Sequence, residues 1–153
     1  MVAVPIIVFL LTFVLLVFFS YKNSHKDALK QISFIREKYH DKILLEKSDV
    51  HCETSTSGLK NGKYLFTKCD LIFLENALAI IASRKIGKLK LYSNLIFVEN
   101  NIALGHGAIK RFNLNSFHGN VYIEFGESGF TSTNVTVQLK NLTLEEKKLI
   151  NIA

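Results

Sequence analysis

Chemistry in this chain would have to come from a few residues. His51 and Cys52 are adjacent, and an imidazole beside a thiol is the pairing that activates a cysteine nucleophile. Neighbouring residues of a strand point to opposite faces, however, so this pair meets in sequence and not in space. The only other cysteine is Cys69. The two form no CxxC, and without a matched histidine pair they are too few for zinc. Reduced, partly buried thiols are expected in a cytoplasmic setting, whereas an outward-facing domain would leave a disulfide between them open. His106 stands in Gly105-His106-Gly107, a loop pliable enough to approach a ligand, and His118-Gly119 is similar; lone loop histidines are ordinarily solvated. Metalloprotease, serine-hydrolase and phosphate-loop patterns are missing, and the acidic residues are scattered. No catalytic, cofactor-binding or metal-ligating residue is expected, and the chain reads as a non-enzyme.

Positive charge gives the one usable signal. Arg84, Lys85, Lys88 and Lys90 lie in RKIGKLK, the densest basic cluster of a chain with net charge +6. Its plain reading is a solvated loop. Its functional reading is contact with anionic headgroups or with an acidic protein or peptide partner. Nucleic acid is not expected, because no helix-turn-helix, zinc-finger or aromatic-interleaved basic pattern accompanies the charge. Two sequons, Asn134-Val135-Thr136 and Asn141-Leu142-Thr143, matter only in a secretory lumen.

The elements that position these residues begin with an apolar stretch. Residues 2–21, VAVPIIVFLLTFVLLVFFSY, carry no charge, and Lys22 is the first. A helix of about 20 such residues matches the hydrocarbon thickness of a bilayer. The expectation is therefore a single-pass transmembrane helix over 1–21 at the cell membrane, with the lipid bilayer as partner. Lys22, Lys26, Lys30, Arg36 and Lys38 follow it, which by the positive-inside rule places the remainder in the cytoplasm.

Residues 22–44 read as a linker helix. Ser24-His25-Lys26-Asp27 has capping-box spacing, and Ala28, Leu29, Ile32, Ile35 and Tyr39 form one apolar stripe suited to docking on the domain that follows. Residues 45–153 read mainly as short strands. Candidates are 64–67, 70–74, 77–82, 88–92, 95–99, 108–112, 121–125 and 135–139, with 50–54 a further strand and Thr54 to Gly58 loop-like. Asn61-Gly62 is a turn signal. Residues 74–82 also fit one helical face, but a hairpin turning at Glu75-Asn76 is favoured. Thr143 with Glu146 three residues on is a capping box opening a C-terminal helix.

Strands closed by one C-terminal helix are the order of a pleckstrin-homology-like (PH-like) domain, and the residues resemble bacterial membrane-anchored members of that group. The resemblance is carried by the hairpin Cys69-Asp70-Leu71-Ile72-Phe73-Leu74-Glu75-Asn76-Ala77-Leu78, the loop Gly126-Glu127-Ser128-Gly129 and the closing Leu142-Thr143-Leu144-Glu145-Glu146. It implies a mainly β fold with α, an antiparallel sandwich or barrel closed by that helix, and a binding or scaffolding role at the inner membrane face. The family's inositol-phosphate loop is not carried over, because the basic cluster falls after the second strand of that hairpin. A bitopic subunit of a membrane or envelope assembly and a membrane-tethered enzyme are the alternatives.

Overall fold

The computed structural model describes residues 3–57, 64–126 and 133–152. The chain opens with one long helix, α1 (Ala3–Lys38), and a short 3-10 turn at His40–Lys42. Eight strands follow: β1 (Ile43–Ser57), β2 (Lys68–Leu74), β3 (Ala77–Ile86), β4 (Leu89–Glu99), β5 (Ile102–Ala103), β6 (Gly107–Asn113), β7 (Val121–Gly126) and β8 (Asn134–Leu139). A second helix, α2 (Leu144–Lys148), comes last. Each strand pairs antiparallel with the next, and β8 returns to β1 to close a barrel. Closure is possible because β1 is long. Its first half pairs with β2, Ile43 opposite Leu74, and its second half pairs with β8, Cys52 opposite Leu139.

Burial explains the sequence pattern strand by strand. In β7 and β8 buried and part-exposed residues alternate over most of their length, as one inward face and one wet face require. In β2 and β3 the apolar runs are almost continuous and almost wholly buried. Their inward residues, such as Leu71, Phe73, Leu78 and Ile80, fill the barrel with Ile123, Phe125 and Val137. Their outward residues, Ile72, Leu74, Ala79 and Ile81, pack under α1 with Ile32 and Ile35. Both faces of this hairpin are covered, so both must be apolar.

Docking supplies the reason for the helix stripe. Ala28, Ile32 and Ile35 are buried, and Tyr39 packs against Phe97 with ring centroids 5.4 Å apart. Full burial of each isoleucine contributes roughly 1.5–3 kcal/mol. Leu29, expected in the same stripe, stays 41% exposed. No helix breaker occurs between Ile6 and Lys38, so α1 runs through Ser24 without a new start. The Ser24 hydroxyl donates instead to the Ser93 carbonyl on β4 at 2.7 Å.

Several expectations are corrected here. Among the described residues no helix is long and apolar enough to cross a membrane. The single-pass transmembrane helix, and with it the cell-membrane, cytoplasm-facing placement of the remainder, is not supported. Physically, the boundary drawn between an anchor (1–21) and a linker helix (22–44) falls inside one helix. From Lys22 onward that helix is charged and committed to the barrel wall rather than to a separate span. The expected sandwich or barrel of PH-like order, closed by a C-terminal helix, is replaced by an eight-stranded barrel closed strand to strand. The long helix is N-terminal, and α2 has only five residues.

Smaller differences share one cause. Residues 54–57, read as loop from their Thr and Ser content, are strand because β8 pairs with them. Residues 64–67 form no strand, and 88–92 and 95–99 are one strand, β4. The choice between helix and hairpin over 74–82 resolves as the β2–β3 hairpin. The Asn61-Gly62 turn and the loop residues 127–129 lie outside the described residues. At the C-terminus the capping box forms as expected. Thr143 Oγ1 accepts from the Glu146 N–H, and Glu146 accepts from the Thr143 N–H. Leu142, Ile150 and Ile152 then seal the barrel core.

Candidate functional site

The four basic residues singled out from sequence lie on the β3–β4 hairpin, where the structure divides them. Lys85 and Lys90 face each other across the pair and turn to carboxylates. Lys85 donates to Asp49 at 2.6 Å, and Lys90 donates to Asp70 at 2.6 Å and lies 3.2 Å from Asp49. Arg84 and Lys88 are exposed and have no carboxylate partner among the described residues. Between them lies the hairpin turn at Gly87, in the left-handed region with φ +59°, flanked by Ile86 and Leu89, which are 58% and 59% exposed.

The Asp49–Asp70 cluster is built by a bulge. The β1–β2 register slips between Lys47 and Val50, and Asp49 takes a left-handed backbone with φ +59°. That turns its N–H onto Asp70 Oδ1 at 2.9 Å. Asp70 also accepts from the Tyr92 hydroxyl at 3.0 Å. Hydrogen bonds from Lys85 and Lys90 hold the Asp49 carboxyl below its ordinary range. Burial works against the charge of Lys90, but Asp70 and Asp49 outweigh it and hold the ammonium above its ordinary range. Burial, then Asp70, pushes the Tyr92 hydroxyl up. The shifts of Asp49, Lys90 and Tyr92 each favour the ordinary charge state of the group. The cluster pins β1, β2 and β4 together.

His51 is exposed while Cys52 is buried, so the adjacent pair is split between faces as strand geometry requires. Cys52 and Cys69 are free thiols inside the barrel. Cys69 is held protonated by its contact with Cys52 and by burial. No group of three or more His, Cys, Asp or Glu able to hold a metal occurs among the described residues.

His106 has a more specific setting. Its Nδ1 is 2.7 Å from the Tyr64 hydroxyl, and its Nε2 is 3.3 Å from the Leu95 carbonyl. A carbonyl only accepts, so Nε2 carries the proton and Nδ1 accepts from Tyr64. On one side the ring packs against Tyr64 and Phe125. On the other it borders a groove of about 410 Å³ between α1, β4 and the 104–106 turn. Lys38 stands at this groove with its ammonium 5.0 Å from the Tyr39 ring centroid.

A third feature is the direction of α1. Its contacts advance from His25, whose Nδ1 accepts from the Tyr92 N–H at 3.0 Å, to Tyr39 on Phe97. Helix and β4 therefore run the same way. The part of α1 before Ser24 extends past the end at which β4 begins. Up to Phe19 that part is mostly apolar: Phe9, Leu11, Phe13, Leu16 and Phe19 are all more than half exposed.

Sequence reasoning found the basic cluster and His106 but missed Asp49, Asp70, Tyr92, Tyr64 and Lys38. A signal existed for Asp70, the one charge inside the apolar run Cys69 to Leu74, since a buried carboxylate demands a partner. Compared with known proteins, the chain matches no family model, no curated protein and no solved structure.

Proposed function

We propose that this protein is a non-catalytic binding module that rests against an anionic lipid surface through one end of its barrel. The observation that carries the reading is the shared end. Arg84 and Lys88, without carboxylate partners among the described residues, and the exposed Ile86 and Leu89 sit on the hairpin that opens β4, and the apolar part of α1 extends past the same end of that strand. Apolar side chains supply insertion, and each well-placed cation adds about 1 kcal/mol at an anionic surface. The reading concerns surface contact and invokes no span. It also narrows the four-residue cluster to two, because Lys85 and Lys90 are neutralised by Asp49 and Asp70.

The test is co-sedimentation of the full chain with vesicles of phosphatidylcholine alone and with added phosphatidylglycerol. Anionic vesicles should bind more tightly, with the preference fading as salt rises. Replacing Arg84 and Lys88 together by Glu should weaken anionic binding by at least roughly 30-fold, from about 2 kcal/mol for two lost cations. Equal binding to both vesicles, or no effect of the pair, would turn the reading toward a protein partner for the apolar helix.

A further inference from the structure

The groove beside His106 lies at the opposite end of the docked part of α1 from the hairpin turn, and nothing in the surface-contact reading uses it. Its walls are apolar where they are most open: Phe34 on α1 is 60% exposed and Leu104 is 50% exposed, with Leu95 and Phe97 as the floor. A volume of about 410 Å³ is the size of a small-molecule site. Its charge is one-sided. Among the described residues Lys38 is the only charged side chain on it, no carboxylate lines it, and Lys38 has no carboxylate partner. Lys38 instead lies over Phe34 and Tyr39, 5.7 and 5.0 Å from their ring centroids, which keeps its ammonium over the apolar wall. The two ring nitrogens of His106 face Tyr64 and Leu95, so the histidine supplies shape here.

We propose that this groove binds an amphipathic monocarboxylate, with the carboxylate on Lys38 and the apolar body against Phe34, Leu95, Phe97 and Leu104. One cation, with the neutral amides of Gln31 and Asn94 as the other polar side chains besides Tyr39 and His106, suits a single negative charge better than a diphosphate. The exposed apolar walls select a body that is itself apolar over a polar metabolite.

The full chain is titrated with dodecanoate, dodecanol and dodecylammonium, read by calorimetry and by NMR shifts of the His106 and Leu104 side chains. Any probe held by the apolar part of α1 adds the same background to every variant, and the two reporter side chains isolate the groove. Dodecanoate should bind at least about fivefold more tightly than dodecanol, the effect of roughly 1 kcal/mol from one charge-assisted contact. Lys38→Gln should abolish that preference, and Lys38→Glu should invert it in favour of dodecylammonium. Lys38 is exposed, so neither change threatens the fold. Leu104→Glu, at a second exposed position, should weaken both dodecanoate and dodecanol, and dodecanoate more, because it removes apolar wall and adds a like charge. Equal affinities that ignore Lys38 would overturn the carboxylate assignment, and unmoved His106 and Leu104 signals would overturn the site. Neither result bears on vesicle binding through Arg84 and Lys88.

Discussion

Lys47 Nζ lies 2.6 Å from Oε1 and 2.7 Å from Oε2 of Glu146, so one carboxylate both closes the α2 capping box and ties the C-terminal segment to the first strand. Burial opposes the charge of Glu146, but the bonds from Lys47 and the Thr143 N–H outweigh it and hold the carboxyl below its ordinary 4.5. The folded state therefore binds this proton less readily than the unfolded chain. The linkage is complete above pH 4.5 and is lost as pH falls through the folded value. Thermal melts at pH 7 and pH 3 should show a smaller acid-induced drop in Tm for Glu146→Gln than for the parent. Glutamine keeps the capping geometry, so the variant remains folded. An identical drop in both would remove Glu146 from the acid response.

Lys85 and Lys90 should separate sharply in stability. The Lys90 side chain is 21% exposed and its partner Asp70 is 12% exposed. Lys90→Met leaves a largely buried carboxylate short of a donor and should destabilise by roughly 1–3 kcal/mol. Lys85 is half exposed, and Lys85→Met should cost at most about 1 kcal/mol. Urea unfolding followed by circular dichroism measures both, and equal losses would contradict the cluster as described.

Docking of α1 on the barrel should depend on single isoleucines. Ile32→Ala removes a buried side chain from the helix–sheet cluster and should destabilise by about 2–4 kcal/mol. Leu29→Ala, on the exposed side of the same helix, should stay within about 0.5 kcal/mol. The same urea titrations decide this, and a small effect at Ile32 would mean that the helix contributes little to the fold.

Cys52 and Cys69 should be unreactive in the folded protein. Both are buried in the barrel, and Cys69 is kept as a thiol. Iodoacetamide at pH 8 should label neither residue under native conditions and both in urea, counted by intact mass. Rapid native labelling would show that the barrel wall opens at β1–β2.

Legibility followed the range of the interactions. Helix docking was readable because Ala28, Ile32 and Ile35 repeat locally, and the β2–β3 hairpin was readable because its turn sits between two apolar runs. The Thr143–Glu146 cap lies within four residues and could be read directly. Barrel closure could not, because residues 54–57 look like a loop until 134–137 are laid beside them. Asp49 was invisible for a similar reason. Its role comes from a bulge that local sequence does not announce, and its partners arrive from β2, β3 and β4. The charges of the 84–90 cluster were legible, but the neutralisation of Lys85 and Lys90 was not. The apolar stretch 2–21 suggested a self-contained span, since composition does not show where a helix ends.

Closure of β8 on β1 also sets an order of events during synthesis. The second half of β1, from Cys52 to Ser57, is made early, yet its partner is the last strand of the barrel to be made. The β2–β3 and β3–β4 hairpins join neighbours in sequence and can form while the chain is still growing. The ring cannot close until β8 arrives, a late and non-local step that slows folding. In that interval β1 and β7 each present an unsatisfied edge, the kind that recruits strands from other chains. The partly made barrel therefore stays open to strand addition until β8 pairs with β1.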